Sequence, residues 1–140
     1  MVAKRNKQKV KLLEPLTSDE KIKFSFRYYD TTCNDFCLSS WGSIKIAETL
    51  KKLQDINNKT YNEINSGRTT YHFHPVSWEQ TIKKNGFPLT EVNRLSAFQF
   101  ALIGVNSGKA RVYGALYQNT FFIVWFDLEH TIWPSFKSHT

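Results

Sequence analysis

Two apolar, aromatic and β-branched runs separated by two polar residues lie near the C-terminus of the chain. The first covers 111–117, the second covers 120–126, and Gln118-Asn119 between them predicts a tight hairpin turn. The second run is apolar from Phe121 to Phe126, which is typical of a strand covered on both faces. The pattern therefore predicts a hairpin inside a sheet, with Val124 fully buried in the central strand.

Charged residues and a histidine follow this hairpin at one of its ends. A two-residue turn fixes the register of the strands, which places Arg111 opposite Phe126 and beside Asp127. Glu129 and His130 come directly afterwards. The sequence thus predicts that an arginine, two carboxylates and a histidine gather at one end of a buried hairpin, and this is the best candidate for a site.

The first half of the chain predicts a strand and the main helix. Polar and apolar residues alternate over 21–30, as in a half-buried strand with Phe26 on the buried side. A helix is predicted over 41–56, with Ser39 or Ser40 as its cap. The apolar residues with helical spacing, predicted to face the core, are Ile44, Ala47, Leu50, Leu53 and Ile56.

The middle of the chain adds a short helix and two more strands. Thr60-x-x-Glu63 is a capping-box pattern, which predicts a short second helical turn. Strands are predicted over 69–74, where Pro75 limits the strand or places it at an edge, and over 97–103. The order predicts an α+β fold in which one main helix, plus a short one, packs on a mainly antiparallel sheet of about four to five strands.

Length and charge divide the chain unevenly. A chain of 140 residues suits a single domain, and we expect a basic, disordered N-terminal tail and leading segment over 1–20, the domain over 21–134 and a C-terminal tail over 135–140. The net charge is +7, yet residues 1–11 hold five basic and no acidic residues, so the rest is nearly balanced. Such a tail predicts contacts with the phosphates of RNA or another nucleic acid; the alternative is a solubilising leader.

Several functional classes find no support in the sequence. No run approaches 18 apolar residues and no apolar segment follows the N-terminal charges, so we expect no membrane span and no secretory signal, and hence a cytoplasmic protein. Cys33 and Cys37 would form a zinc site only with His72 and His74. We expect reduced thiols, no metal and no cofactor.

Arg111 and three histidines are the candidate catalytic residues. The planar guanidinium of Arg111 suits a phosphate, and the alternative is a cross-strand ion pair with Asp127 or Glu129. His130 has a side chain that titrates near neutral pH and so suits acid–base catalysis. His72 and His74 would share one face of a strand and serve acid–base chemistry on a ribose 2′-hydroxyl, or simply form an exposed edge.

Further residues complete the candidate site as substrate-binding groups. Tyr113 and Asp127 belong to the hairpin, and Arg68 precedes the strand of the two histidines. Lys4, Arg5 and Lys7 represent the basic tail. No glycine-rich phosphate loop, nucleophile elbow or zinc-protease motif is present.

The C-terminal pattern resembles a known family. The string Arg111-Val-Tyr-Gly-x-x-Tyr-Gln-Asn-Thr-Phe-Phe-Ile-Val-Trp-x-Asp-x-x-His130 resembles the C-terminal hairpin of RelE/ParE-type bacterial toxins, and the resemblance covers roughly residues 97–133. Those small basic proteins carry an arginine on late strands of a sheet, and many cut messenger RNA on the ribosome. It is also similar to small bacterial and phage proteins that end in an Arg…Gly…Phe…Asp-x-x-His segment.

Two hypotheses about function follow. The first is a small bacterial or mobile-element protein that acts on RNA, as a metal-independent endoribonuclease of toxin type in which Arg111 holds the scissile phosphate. The second is a non-enzymatic interaction protein, such as an immunity protein, antitoxin or accessory factor, which binds a protein or nucleic acid. The first also implies a cognate protein partner such as an antitoxin.

Overall fold

The computed structural model describes residues 19–66 and 68–134, with only the backbone at positions 68 and 69. Within these ranges the strands are β1 (Lys23–Ser25), β2 (His74–Pro75), β3 (Ser96–Ala101), β4 (Arg111–Tyr117) and β5 (Thr120–Asp127). The helices are α1 (Ser43–Asn57), α2 (Tyr61–Ser66), α3 (Arg68–Tyr71) and α4 (Thr90–Asn93), with 3₁₀ turns at Leu38–Ser40 and Trp78–Gln80. No helix in these ranges has the length and apolar content needed to cross a membrane. The predicted α+β fold is confirmed.

The five strands form one sheet in the order β1-β5-β4-β3-β2. β1 runs parallel to β5, and the other neighbours are antiparallel, so the sheet is mainly antiparallel as predicted. The predicted hairpin joins β4 to β5, with Tyr117 opposite Thr120. Val124 is fully buried, although its strand lies beside the central strand β4 rather than at the centre.

A β-bulge changes the register at the far end of the hairpin. The ladder shifts between Tyr113 and Gly114, where Val124 is the extra residue on β5. Arg111 therefore lies opposite Asp127 and not opposite Phe126 as predicted. The predicted register was wrong because the apolar run of β5 has no local feature that marks an unpaired residue.

The close approach of the two strands at the bulge requires a glycine. A Cβ atom at position 114 would lie 2.1 Å from the carbonyl oxygen of Phe122 and 2.5 Å from the Phe121 ring. Only Gly114, which has no Cβ, permits this backbone contact. The bulge thus depends on one residue type at one position.

The two faces of the sheet pack against different layers. One face packs on the helices through Leu53, Ile56 and Ile64, and it contains Val112, Phe121 and Phe126. The opposite face, which we call the loop face, carries Tyr113 and Trp125 from the hairpin. It is covered mainly by loop residues and by α4, through Phe36, Phe87, Val92 and Ile132. Because side chains alternate along a strand, Arg111 and Asp127 belong to the loop face with Tyr113 and Trp125.

The main helix covers nearly the predicted residues. Its predicted cap and part of its predicted buried face were wrong. α1 begins at Ser43 after Gly42, whose φ is 83° and which makes no side-chain cap, while Ser39 and Ser40 belong to the preceding 3₁₀ turn. Its buried residues are Thr49, Leu53 and Ile56. Two of the residues predicted to face the core, Ile44 and Leu50, are 75% and 58% exposed.

The segment predicted as a strand over 69–74 is mostly helical. Residues 68–71 form α3, and only His74–Pro75 pair with β3, at the edge of the sheet. The Tyr71 hydroxyl donates to Asp55 Oδ2 at 3.3 Å, and Phe73 stacks on Phe98 with ring centroids 4.8 Å apart. These tertiary contacts outweigh the β-propensity of the threonines and aromatic residues.

Two smaller predictions have opposite outcomes. The capping box is confirmed, since the Thr60 amide donates to Glu63 Oε1 at 2.9 Å and the Glu63 amide donates to Thr60 Oγ1 at 3.2 Å. The first strand is shorter than predicted, because β1 ends at Ser25, and Phe26 is 56% exposed.

Candidate functional site

The predicted catalytic residues lie at one end of the sheet. Arg111 begins β4 and Asp127, opposite it, ends β5. His130 lies in the turn that follows β5, whereas His72 and His74 lie between α3 and β3. The charge of Arg111 lowers the pKa of His72 and His130, and His74 also acts on both of these rings. Arg111 and His74 therefore lie near enough to His72 and His130 to lower the pKa of both, although the hydrogen bonds of Arg111 go to Gly108 and Ala110 and not to a histidine.

Arg111 is a buried cation that forms no ion pair with a carboxylate in the part of the chain that the structure describes. Its side chain is 8% exposed, and Nη1 donates to the carbonyl oxygens of Gly108 at 2.6 Å and Ala110 at 3.2 Å. Nε is buried and has no hydrogen-bond partner. Burial lowers the pKa of the guanidinium, while Tyr113 and Asp127 act in the opposite direction. An arginine remains charged at neutral pH, so the site holds a desolvated positive charge.

Asp127 organises the turn that carries His130. Its Oδ1 accepts hydrogen bonds from the amide and hydroxyl of Thr131 at 3.1 and 3.2 Å, and its Oδ2 accepts from the Ile132 amide at 2.7 Å. The carboxylate is 1% exposed and forms no ion pair with Arg111. The alternative in which Arg111 forms a cross-strand ion pair with Asp127 is therefore wrong, because backbone donors occupy the carboxylate.

Two of the three histidines, His72 and His130, favour the neutral form. The pKa of His72 is lowered by partial burial, by the charge of Arg111 and by His74 and His130. The pKa of His130 is lowered by burial and by Arg111, with smaller opposing contributions that include Asp127. Both imidazoles are consequently available to accept a proton at neutral pH.

His72 and His130 also share an unusual backbone conformation. Their φ angles are 51° and 61°, in the left-handed region that residues other than glycine seldom occupy. Such strained positions cost about 1–3 kcal/mol each and are concentrated at functional sites. Two of the three candidate histidines therefore occupy strained backbone positions, each in a separate loop.

His74 is held by a residue that the sequence analysis missed. Gln99 is 3% exposed on β3, directly opposite His74, and its Nε2 lies 3.1 Å from the His72 carbonyl oxygen and 3.2 Å from His74 Nε2. His74 Nδ1 lies 3.3 Å from the Pro75 carbonyl oxygen. These contacts fit an arrangement in which Nδ1–H donates to Pro75 and Nε2 accepts from Gln99. The sequence signal that could have identified Gln99 is that it is a polar residue within an apolar strand.

Tyr113, predicted as a substrate-binding residue, is fully buried. Its hydroxyl has no hydrogen-bond partner, although the backbone of Trp133 lies close enough to influence it. Burial, with a smaller contribution from Asp127, raises the pKa of the phenol far above its usual value. Tyr113 therefore keeps its proton and is a neutral hydrogen-bond donor.

The remaining predicted residues lie elsewhere or outside the described ranges. Arg68 begins α3, and the structure describes only its backbone. Lys4, Arg5 and Lys7 lie outside the described residues. Cys33 and Cys37 are free, half-buried thiols. Across 19–66 and 68–134, no group of three or more histidine, cysteine, aspartate or glutamate side chains is arranged to hold a metal ion.

A groove of about 530 Å³ contains none of the predicted site residues. It lies between the start of α1 and the loop before β4, and its lining includes Trp41, Lys45, Glu48, Asn106 and Ser107. Its open form and mixed lining indicate no particular ligand.

Comparison with known proteins provides no assignment. No family model, no curated protein and no solved structure matches the chain.

Proposed function

We propose that this protein is a small cytoplasmic RNA-directed protein of a bacterium or mobile element, and that it acts as a metal-independent endoribonuclease of toxin type. One observation carries the proposal: the buried guanidinium of Arg111 forms no ion pair with a carboxylate among the described residues, and its charge lowers the pKa of His72 and His130. A phosphodiester supplies the missing negative charge, and arginine suits its oxygens well.

The proposed reaction needs one base and one acid. One histidine accepts the proton of a ribose 2′-hydroxyl, the 2′-oxygen bonds to the adjacent phosphorus, and the bond from phosphorus to the 5′-oxygen breaks. The other histidine donates a proton to the leaving 5′-oxygen, so the products are a 2′,3′-cyclic phosphate and a 5′-hydroxyl. Arg111 holds the phosphate and stabilises the charge that accumulates on its oxygens.

The lowered histidine pKa values are compatible with one histidine acting as the base and the other as the acid. In the free protein both rings favour the neutral form, so a base is present. A bound phosphate places negative charge near both rings and raises their pKa values, which favours protonation of the acid. When the products leave, this negative charge is lost and both imidazoles again favour the neutral form.

The test compares RNA cleavage by the wild type with that by Arg111→Ala, His130→Ala and His72→Ala, in buffer containing a metal chelator. Each site variant should lose cleavage by roughly 10²–10⁴-fold if its side chain takes part in the chemistry. Arg94→Ala is the matched control, since Arg94 is an exposed arginine at the end of α4. End-group analysis should detect cyclic phosphates.

The rival function is that of an interaction protein that binds a protein or nucleic acid without cleaving it. One observation favours it: Arg111 Nη1 is already used by the carbonyl oxygens of Gly108 and Ala110, as expected of a residue that holds a loop. If the wild type leaves RNA intact and its expression does not arrest growth, this alternative replaces the enzyme proposal.

The basic tail provides a second, independent test of nucleic-acid binding. Residues 1–11 carry five positive charges, including Lys4, Arg5 and Lys7. Deleting them should weaken binding to single-stranded RNA and reduce the slope of log affinity against log salt by up to about 3.5. An unchanged slope would mean that the tail does not contact the RNA phosphates.

A further inference from the structure

The amide of Gln99 has a fixed orientation. Its Nε2 donates to the carbonyl oxygen of His72 at 3.1 Å, and a carbonyl oxygen accepts hydrogen bonds but donates none. Rotating the amide by half a turn would place Oε1 against the His72 oxygen, where two acceptors would repel each other. The oxygen of Gln99 must therefore point away from the two histidines.

The side-chain oxygen of Gln99 is an acceptor that receives no hydrogen bond. Gln99 Oε1 is buried without a hydrogen-bond partner, and so are the Tyr113 hydroxyl and Arg111 Nε. Within the described residues these three are the buried side-chain polar atoms without a partner. Buried polar groups nearly always have partners, so three unpartnered groups in one place need an explanation.

The sheet places the three groups side by side. Gln99 lies directly opposite Tyr113 in the β3–β4 ladder, and Arg111 is two residues before Tyr113 on the same strand. Opposite residues share a face, as do alternate residues of one strand. Two hydrogen-bond donors and one acceptor therefore line a single patch of the loop face, beside the histidines.

The combination of donors and acceptor matches a ribonucleotide. Phosphate oxygens accept hydrogen bonds from Arg111 Nε and the Tyr113 hydroxyl. The sugar–phosphate backbone of DNA has only acceptors along its length, whereas RNA adds one donor per nucleotide, the 2′-hydroxyl. The acceptor in this patch therefore has a natural partner in RNA and none in the backbone of DNA.

Building on the proposed function, we propose that Gln99 selects RNA over DNA by accepting a hydrogen bond from a ribose 2′-hydroxyl, next to a phosphate held by Arg111 and Tyr113. This hydroxyl belongs to a nucleotide adjacent to the one that is cleaved, because the proton of the attacking hydroxyl goes to a histidine. Gln99 is thus a specificity residue and takes no part in the bond exchange.

Trp133 lies beside this patch. Its ring lies edge-on to His74, with centroids 5.3 Å apart, and its backbone lies beside the Tyr113 hydroxyl. Trp133→Ala removes this ring and none of the three unpartnered polar groups. It should therefore leave the preference for RNA in place, and it provides a control for general disturbance of the patch.

The experiment measures the affinity of one oligonucleotide sequence in two forms, as RNA and as 2′-fluoro RNA, which lacks the hydroxyl donor. Both forms carry 2′-fluoro at the nucleotide that is cleaved, so the attacking hydroxyl is absent from both and does not contribute to the comparison. The protein carries His130→Ala throughout, so that the RNA stays intact. With Gln99 present, RNA should bind roughly 10-fold more tightly than its 2′-fluoro form, as expected for loss of a partner at a buried acceptor. Gln99→Met should reduce this ratio to about one, with folding checked by circular dichroism.

A second substitution separates the acceptor from general packing. Gln99→Leu also removes the acceptor, with a different side-chain shape, and should likewise reduce the ratio to about one. Arg111→Ala should weaken both oligonucleotides and keep the ratio. If both Gln99 variants fail to fold, 2′-fluoro substitution of one nucleotide at a time is measured with Gln99 present: a loss of affinity next to the cleaved nucleotide is expected, and no such loss would overturn the role of Gln99.

The possible failures are distinguishable. Equal binding of RNA and 2′-fluoro RNA in the presence of Gln99 would overturn the role of Gln99 and leave the proposed ribonuclease intact. A ratio that survives Gln99→Met would also overturn it. Binding to neither oligonucleotide would overturn the proposed function together with this inference.

Discussion

Arg111 and Asp127 lie opposite each other at the end of the β4–β5 ladder, yet they do not form an ion pair. The arginine donates to the carbonyl oxygens of Gly108 and Ala110. The carboxylate accepts from the backbone of the turn that follows β5. Each charged residue thus fixes a different loop.

A double-mutant cycle should show weak coupling between these two residues. Asp127→Asn should lower the free energy of unfolding by about 1–3 kcal/mol, because an amide replaces an acceptor of backbone donors. Arg111→Met should cost less, and the coupling energy should be about 1 kcal/mol or below. Chemical denaturation of both single variants and the double variant provides the values. A coupling of about 3–5 kcal/mol would indicate a buried ion pair instead.

The hairpin was predictable because its signal is local. A polar pair flanked by two β-rich runs fixes the turn and the pairing of Tyr117 with Thr120. The bulge was not predictable, because it depends on the approach of the Gly114 backbone to Phe122 across the strands. The one-residue error placed Arg111 opposite Phe126, although the neighbourhood of Arg111, Asp127 and His130 was predicted in outline.

The prediction of a strand over 69–74, which contains His72 and His74, was wrong for a different physical reason. The sequence from Thr69 to His74 is rich in β-forming residues, but Tyr71 and Phe73 make contacts with α1 and β3 that favour a helical turn followed by a reversal at His72. The two histidines still reach the site, though not as neighbours on one strand face. Gln99 was missed because its importance arises from the unpartnered atoms beside it.

Gly114→Ala should destabilise the protein and displace the site. Its methyl group would collide with the Phe122 carbonyl oxygen, and forced overpacking costs typically about 1–3 kcal/mol. Thermal unfolding measures the loss, and RNA affinity should fall as Arg111 shifts away from the histidines. Gly104→Ala is the control: nothing lies within 4 Å of the added methyl, so only the backbone strain at its φ of 84° remains. Equal losses in both variants would argue against the close approach at the bulge.

The stability of the protein should decrease as the pH falls below about 6.5, the ordinary histidine pKa. His72 and His130 have lowered pKa values in the folded state, so the unfolded chain binds more protons between those values and the ordinary one. The free energy of unfolding therefore rises with pH through this window and levels off above it. Denaturant titrations at several pH values, kept above about pH 5 so that most carboxylates stay ionised, measure the slope.

Two variants assign this slope to the histidines. His72→Asn and His130→Asn should each reduce it, because asparagine does not titrate and tolerates the left-handed backbone. Added inorganic phosphate should reduce the slope in the wild type, since an anion at Arg111 favours the protonated imidazoles. A slope that neither substitution changes would mean that other groups govern the pH dependence.

The last prediction separates the chemistry of His130 from its conformation. Its φ of 61° is tolerated by asparagine but strongly disfavoured for a β-branched residue. His130→Asn should therefore keep the melting temperature close to that of the wild type while RNA cleavage falls by roughly 10²–10⁴-fold. His130→Val should lose cleavage and also melt earlier, because the left-handed conformation costs such a residue at least about 1–2 kcal/mol. If His130→Asn cleaves RNA as fast as the wild type, His130 is not an acid or base and its unusual conformation serves only the turn that Asp127 holds.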